Sequence, residues 1–396
     1  MDIALTSANV LPVDGAAGTL IGRAWVPGKP AGPSVVLVSG NELKDLSQSF
    51  ATMSAVLAEK DPTAAVQAAG AKAPSLGSLD AILANTPTGK RDPLKPYLLA
   101  PTDLQAIKAC GVTFAASMLE RVIEERAKGD PTAAEGIRQV IAKEIGGDLR
   151  RIKPGSPEAE TLKQALIDRG MWSQYLEVGI GPYAEVFTKS QPMSAVGTGA
   201  DIGIHPESSW NNPEPEIVLV IDPTGLIVGA TLGNDVNLRD FEGRSALLLG
   251  RAKDNNASAA LGPFIRLFDA TFTIDDLRQA ELSVKVAGLD QFTLDDKSSM
   301  NQISRDVTDL AKQTLSRNHQ YPDGLVLYVG TMFAPIKDRG APGMGFTHKI
   351  DDIVTIATPK LGALVNRVRL TTEVEPWTFG TGALMKNLAQ RGLLGH

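Results

Sequence analysis

The stretch that decides the fold runs from Trp210 to Asp222 and reads WNNPEPEIVLVID. Its second half has the β-branched and aliphatic composition of a buried strand. Because side chains alternate across a strand, Glu214 and Glu216 point to the same face as Val218. Two carboxylates beside a valine require either that this face of the strand is exposed to solvent or that a cation compensates their charge.

The residues that follow predict a β-hairpin. Residues 222–225, DPTG, fit a turn with proline second and glycine fourth, and Leu226–Leu232 is a second strand. If the turn centres after Pro223, the return strand brings Asp235 opposite about residue 212, roughly 5–8 Å from Glu214. Three carboxylates therefore converge: Glu214, Glu216 and Asp235.

The chemistry of this cluster indicates a metal. Like charges this close repel in a low-dielectric site, so either one carboxyl is protonated or a hard divalent cation lies among them. With only 4 His and 1 Cys in the chain, all-oxygen ligation favours Mg²⁺, with Mn²⁺ or Ca²⁺ as alternatives. The competing interpretation places Glu214 and Glu216 on a solvent-facing edge strand. The polar stretch GNDVNLRD at 233–240 favours the site, although it is also compatible with an ordinary Asx-type loop.

Composition limits the function further. The 396 residues carry 39 Lys and Arg against 45 Asp and Glu, a formal charge of -6, which argues against a nucleic-acid or membrane-surface partner. One cysteine, Cys110, excludes an internal disulfide. No signal-peptide pattern and no apolar run of about 18 residues is present, so we expect a cytoplasmic protein.

The pattern of elements predicts an α+β protein. Residues 1–100 form a small N-terminal α/β domain with strands at 19–26 and 34–39, a helix at 43–57 and a linker at 70–95.

Residues 101–396 form the second, larger domain. A helical insert at about 118–170 contains three predicted helices, the second at 132–145 and the third at 157–169. From 172 to 368 short strands and turns alternate, which is typical of a β-sandwich or roll.

Four ordered motifs make residues 100–396 resemble the fumarylacetoacetate hydrolase superfamily. They are the E-x-E strand Glu214–Glu216, the GNDVNLRD loop at 233–240, Lys253 eight residues before LGP, and the Gly330-Thr331 turn. An upstream F-x-K element also matches at Phe187–Lys189, with its serine one position later than usual. The resemblance implies that family's mixed β-sandwich or roll, with Mg²⁺ on Glu214, Glu216 and Asp235.

One departure from the family pattern bears on activity. Where hydrolases of the superfamily carry a water-activating histidine, this chain has Ser117, and serine is no general base near neutral pH. The sequence is most similar to the dehydratases of 2-keto-3-deoxy-D-xylonate and related 2-keto-3-deoxypentonates, which pair the lysine with a glutamate just before F-x-K, here Glu185. The resemblance implies dehydration to 2-oxoglutarate semialdehyde in non-phosphorylative pentose catabolism.

The resemblance also implies residue roles. Lys253, kept neutral by burial and the cation, would remove a C3 proton, and Glu185 would protonate the departing C4 hydroxyl. Substrate contacts are expected from four residues: Thr331, Arg239, Lys189 and Ser117. Judged without the resemblance, Lys253 is a solvated lysine and Glu185 a surface strand residue. Family members are usually homodimers or homotetramers, by analogy alone.

Three functions remain open. The alternatives to the dehydratase are a metal-dependent hydrolase that releases pyruvate from a 2,4-diketo-3-deoxy acid and a protein that binds Ca²⁺ structurally. His348 and the glycine-rich loop 340–347 are either ordinary loop residues or a flap over the site.

Overall fold

The computed structural model describes residues 2–128, 130, 133, 152–168, 170, 172–331, 333, 337–340 and 345–394; for 115–117, 119, 120 and 124 it describes the backbone alone. Apart from residue 133, the helix predicted at 132–145 lies outside the described residues.

The described strands are β1 Leu20–Val26, β2 Gly32–Ser39, β3 Glu42–Asp45, β4 Ser75–Ser78, β5 Tyr97–Leu98, β6 Ala106–Gly111, β7 Glu185–Ser190, β8 Asp201–Ile204, β9 Asn211–Asn212, β10 Pro215–Ile221, β11 Ile227–Asp235, β12 Asn237–Leu238, β13 Ala259–Leu267, β14 Glu281–Ala287, β15 Thr293–Ser299, β16 Leu325–Tyr328, β17 Ile353–Thr358 and β18 Gly362–Leu370. The described helices are α1 Ser7–Val10, α2 Met53–Leu57, α3 Pro62–Gly70, α4 Leu79–Ala84, α5 Ala115–Ala127, α6 Pro157–Asp168, α7 Gln174–Ile180, α8 Arg239–Glu242, α9 Leu249–Lys253, α10 Ile274–Arg278, α11 Val307–Thr314 and α12 Thr381–Gln390.

Two mixed sheets carry the fold. The larger one has the strand order β4-β3-β2-β1-β13-β11-β10-β16-β6-β7, with β5 pairing beside β1. It is antiparallel except where β16 lies parallel to β6. The smaller sheet has the order β15-β14-β17-β18-β8, in which β18 and β8 are parallel. This mixed α/β architecture agrees with the fold class that the sequence predicts at the level of mixed sheets.

Strand β10 is buried on both of its faces. Ile217 and Leu219 belong to an apolar core shared with Val284 and Ile356 of the smaller sheet, so the two sheets pack face to face. Val218 and Val220 point the other way, into a second core that also contains residues of α2 and α3. The predicted alternation along β10 is thus real, and both kinds of position are enclosed.

The N-terminal segment differs from its prediction in two places. The helix predicted at 43–57 is instead the strand β3, whose Leu43 is buried, followed by a helix that begins only after Thr52. The Thr52 side chain accepts the Ala55 N–H and caps that helix.

The linker predicted at 70–95 contains a strand and a helix. β4 pairs with β3, and α4 buries Leu79, Ile82 and Leu83. A domain boundary at residue 100 stays a prediction; β1 pairs with β13, so strands from both sides of that position share one sheet.

Within the predicted insert, the structure has helices at Ala115–Ala127 and Pro157–Asp168. Apolar residues of both helices, including Val122 and Leu166, form one cluster with Tyr175 and Trp210. Among the described residues, no helix combines the length and apolarity that crossing a bilayer requires.

Candidate metal centre

The hairpin β10–β11 brings the acidic residues together. Glu216 pairs with Gly233 and Pro215 with Asn234, so Asp235 lies opposite Glu214 and donates its N–H to the Glu214 carbonyl at 3.0 Å. The prediction of a partner near residue 212 is therefore wrong by two residues. The turn accounts for one of these residues, because Ile221 pairs with Ile227, and an irregularity between Val220 and Ile221 accounts for the other.

The three carboxylates form a compact buried cluster. Glu214, Glu216 and Asp235 each offer an oxygen within 4.8 Å of the others. None of the three residues is more than 4% exposed. The edge-strand interpretation is wrong, because β10 lies between β11 and β16 inside the larger sheet. An all-oxygen set of this kind suits a hard divalent cation.

Two lysines compensate part of this charge. Lys253 Nζ lies 2.5 Å from Glu214 Oε2 and 3.1 Å from Asp235 Oδ2, and Lys189 Nζ lies 2.9 Å from Asp235 Oδ1. Although burial raises it, these two cations hold the pKa of Asp235 below its usual value. Glu216 receives less help: burial and the charges of its two neighbours raise its pKa well above the usual range.

The protein groups around Lys253 favour its ammonium form, so the neutral amine expected from the sequence depends on the cation. Burial lowers the pKa of Lys253, but the charges of Asp235 and Glu214 outweigh burial and move it above the ordinary value. The ammonium group therefore serves as a cation between two of the proposed ligands. The predicted burial of Lys253 is confirmed. The spacing along the chain did not show that its amine contacts the carboxylates of Glu214 and Asp235.

The ammonium group of Lys189 is buried among protein acceptors next to the three carboxylates. Its ammonium group contacts the Lys253 carbonyl, Ser258 Oγ at 3.2 Å and Val236 O at 3.4 Å, besides Asp235. These protein acceptors enclose all of its donors. The surroundings support a role in positioning Asp235 and Lys253 rather than the expected substrate contact.

The Gly330-Thr331 turn orients Glu216. Gly330 N–H donates to Glu216 Oε2 at 2.6 Å, and Gly330 has φ +93, a conformation that favours glycine. A Cβ at this position would also overlap Thr113 Oγ1, which itself donates to Val329 O at 2.6 Å. Thr331 is buried beside the turn, and its hydroxyl accepts the Phe333 N–H at 3.0 Å. Its contact with substrate stays a prediction.

Glu185 begins strand β7 next to the cluster. It pairs with Gly111 of β6, whose missing side chain leaves room for the Glu185 carboxyl. Burial, reinforced by the charge of Glu242, raises the pKa of Glu185 to about 7, against the opposing effect of Arg121 and Lys253. A carboxyl of this kind holds a proton near neutral pH and can donate it.

Sequence reasoning missed Arg121 and Glu242. Arg121 of helix α5 contacts Glu214 Oε1, and its Nη1 lies 2.7 Å from Glu242 Oε2. Arg121 thus joins a cluster carboxylate to helix α8. The available signal was its position three residues after Met118, which is buried, since residues three apart share a helix face.

The other predicted residues have varied surroundings. Arg239 is buried with its guanidinium carbon 4.3 Å from the centre of the Trp210 ring. Ser117 lies in α5, and its side chain is outside the described residues. His348 is buried; burial lowers its pKa, and its Nδ1 lies 3.2 Å from Asp352 Oδ2, which also binds Arg339. Of the loop 340–347, residues 341–344 are outside the described residues.

A family model matches the part of the chain that carries the acidic cluster. Residues 177–369, which contain the three carboxylates and Lys253, match the model of the fumarylacetoacetate (FAA) hydrolase C-terminal domain. This part of the chain is therefore similar to that family.

Its relatives include two proteins named as dehydratases. A 2-dehydro-3-deoxy-D-arabinonate dehydratase of Saccharolobus solfataricus is 31% identical over 185 residues, 47% of this chain and 58% of its own length. A Haloferax volcanii protein named "Probable 2-keto-3-deoxyxylonate dehydratase" is 29% identical over 201 residues, 51% of this chain and 65% of its own length. The match thus spans less than two thirds of either relative.

The fold also resembles a solved structure of 2-keto-3-deoxy-D-arabinonate dehydratase complexed with magnesium and 2,5-dioxopentanoate. The TM-score is 0.57 at 19% identity, covering 89% of this chain and 99% of the other. At this identity the likeness concerns the fold.

Proposed function

We propose that the chain is a Mg²⁺-dependent dehydratase that converts a 2-keto-3-deoxypentonate into 2-oxoglutarate semialdehyde in non-phosphorylative pentose catabolism. The observation that carries the proposal is the buried cluster of Glu214, Glu216 and Asp235 with Lys253 in contact and Glu185 nearby. The names of the two curated relatives point to the same substrate class.

The cluster fits Mg²⁺ by its chemistry. Its donors are all carboxylate oxygens, and the raised pKa of Glu216 reflects burial together with the negative charge of Asp235 and Glu214, which Lys253 and the Gly330 N–H offset only in part. Bound by the three carboxylates, Mg²⁺ would neutralise their charge and polarise the keto and carboxylate oxygens of the substrate, which acidifies C3. Mn²⁺ has the same ligand preference.

The side chains divide the proton transfers between them. With the carboxylate charge offset, Lys253 accepts a proton from C3 as the C3–H bond breaks. Glu185 gives its proton to the C4 hydroxyl, the C4–O bond breaks, and water leaves. The resulting unsaturated keto acid then tautomerises to the semialdehyde. Thr331 and Arg239 are proposed to hold substrate oxygens.

Turnover tests the proposal directly. The purified protein with Mg²⁺ is incubated with 2-keto-3-deoxypentonate or, separately, with a 2,4-diketo-3-deoxy acid. We expect semialdehyde from the first and no reaction with the second. Pyruvate from the diketo acid alone would replace the dehydratase by the hydrolase, and turnover of neither would leave a structural cation site.

A variant tests the base. We expect Lys253→Met to stop exchange of C3 deuterium into solvent, while the exposed-strand control Lys285→Met exchanges like the wild type. Normal exchange in Lys253→Met would remove Lys253 from the mechanism.

The assembly and location are part of the proposal. We propose a cytoplasmic homodimer or homotetramer with no nucleic-acid or membrane partner. Light scattering of the purified protein would measure its mass in solution, and the mass of a monomer would contradict the proposed dimer or tetramer.

A further inference from the structure

The ladder that forms the cluster continues for one more pair of facing residues. Glu214 lies opposite Asp235, and two residues further on Asn212 of β9 pairs with Asn237 of β12. Val236 and Leu238 belong to the apolar core between the sheets. Because side chains alternate, Asn237 points to the opposite face, the one that carries Asp235.

The two amides are buried with polar atoms left over. Asn212 and Asn237 are 2% and 0% exposed. Among the described residues, Asn237 Nδ2, Asn237 Oδ1 and Asn212 Oδ1 have no hydrogen-bond partner, while Asn212 Nδ2 donates to Pro213 O at 2.8 Å. Unsatisfied buried amides are costly and uncommon, so a bound water or a ligand has to supply their partners.

The opposite end of the cluster is closed. Gly233, which faces Glu216, has no room for a side chain, because a Cβ would lie 2.5 Å from Val218 Cγ2 and also overlap the Tyr328 ring. Along this face of the hairpin, a ligand held at the carboxylates therefore extends toward the asparagines. The step from one pair to the next is about 7 Å, comparable to the length of a five-carbon acid.

We propose that Asn212 and Asn237 bind the terminal C5 hydroxyl of the substrate and so select a hydroxylated 2-keto acid. The inference rests on the proposed function, because it places the keto acid end at Glu214, Glu216 and Asp235. A hydroxyl both donates and accepts, and the free amide atoms offer both complements.

Binding of two unreactive ligands tests this assignment. 5-Hydroxy-2-oxopentanoate carries the terminal hydroxyl, and 2-oxopentanoate lacks it; neither has the C4 hydroxyl that dehydration removes. Affinities for both are measured with the Mg²⁺-loaded wild type and with Asn237→Ala and Asn212→Ala. Asn211→Ala is the matched control, because this neighbouring amide is also buried, lies on the alternate face and donates to Ser208 Oγ at 3.1 Å.

We expect the wild type to prefer the hydroxylated ligand by about tenfold, the effect of one or two hydrogen bonds. Asn237→Ala and Asn212→Ala should bring the ratio towards one by weakening only the hydroxylated ligand, and Asn211→Ala should keep it. Asn237→Leu, which removes the unsatisfied amide at similar volume, should also lose the preference while remaining folded.

The outcomes separate this inference from the proposed function. An unchanged ratio in Asn237→Ala, or no preference in the wild type, would overturn the assignment of the asparagines. A preserved preference without dehydration of 2-keto-3-deoxypentonate would overturn the proposed activity alone. Binding of neither ligand would overturn both.

Discussion

Replacing Glu185 by glutamine should change how the stability of the protein depends on pH. The pKa of Glu185 rises from an ordinary 4.5 to about 7 in the folded protein, because burial and the charge of Glu242 disfavour its carboxylate. Between these pH values the folded state holds a proton that the unfolded state has released. At 1.36 kcal/mol for each pKa unit, the free energy of unfolding therefore falls by about 3 kcal/mol from pH 4.5 to pH 7 on account of this one group.

Glutamine keeps the shape of the neutral acid and cannot ionise. Glu185→Gln should thus be close to the wild type at pH 5 and more stable by up to about 3 kcal/mol at pH 8. Urea unfolding at pH 5, 6, 7 and 8 with a chelator present measures the difference. Glu281→Gln, an equal change of charge at an exposed strand position, is the control and should run parallel to the wild type.

Parallel curves for Glu185→Gln and the wild type would refute the reasoning. They would mean that Glu185 has the same pKa in the folded protein as in the unfolded chain, and that its carboxyl group is not protonated near neutral pH. Activity offers a second check: if Glu185 is the acid, the rate should fall as the pH rises through about 7, and glutamine should remove most of the rate at every pH.

Other substitutions test the surroundings of the cluster. Glu216→Gln should weaken Mn²⁺ binding, measured by calorimetry, by at least about tenfold, since it removes one of three carboxylates; an unchanged affinity would exclude Glu216 as a ligand. Gly330→Ala should lower the free energy of unfolding by about 1–3 kcal/mol and weaken the metal site through the lost orientation of its N–H, whereas Gly340→Ala, at φ +98 but in open space, should cost only the backbone strain. Arg121→Ala should lower the free energy of unfolding by about 3 kcal/mol, because it removes the cation that lies between the buried carboxylates of Glu214 and Glu242; an unchanged free energy of unfolding would contradict this electrostatic role.

The convergence of the carboxylates could be predicted because it depends on local rules. Alternation along a strand places Glu214 and Glu216 on one face, and a short turn returns Asp235 to their side. The exact register could not be predicted, since it depends on the irregularity at Val220/Ile221 and on Asp222, whose side chain accepts the N–H groups of residues 224 and 226. Together these two effects move the pairing by two residues, which keeps every side chain on its predicted face.

The N-terminal errors have a different cause. Residues 43–57 contain enough apolar residues for a helix, but residues 42–45 form β3 and pair with β2. The helix begins only after its N-cap residue, Thr52. Pairing with a distant strand outweighs local propensity here. In the same way, the weak periodicity of residues 70–95 does not predict β4, because this strand is stabilised by its pairing with β3.

The side chains that contact the three carboxylates could not be predicted from local sequence patterns either, and they alter the protonation chemistry of the site. Lys253 is 18 residues from Asp235 and 39 from Glu214, so its contact with both comes from tertiary structure. That contact makes the amine a charge partner of the carboxylates, and a lysine in this place becomes a base only when another cation takes over the compensation. Binding of a divalent ion by Glu214 and Asp235 would weaken the hold of these carboxylates on the Lys253 ammonium group, so the proposed mechanism predicts that metal binding and release of a proton from Lys253 are linked.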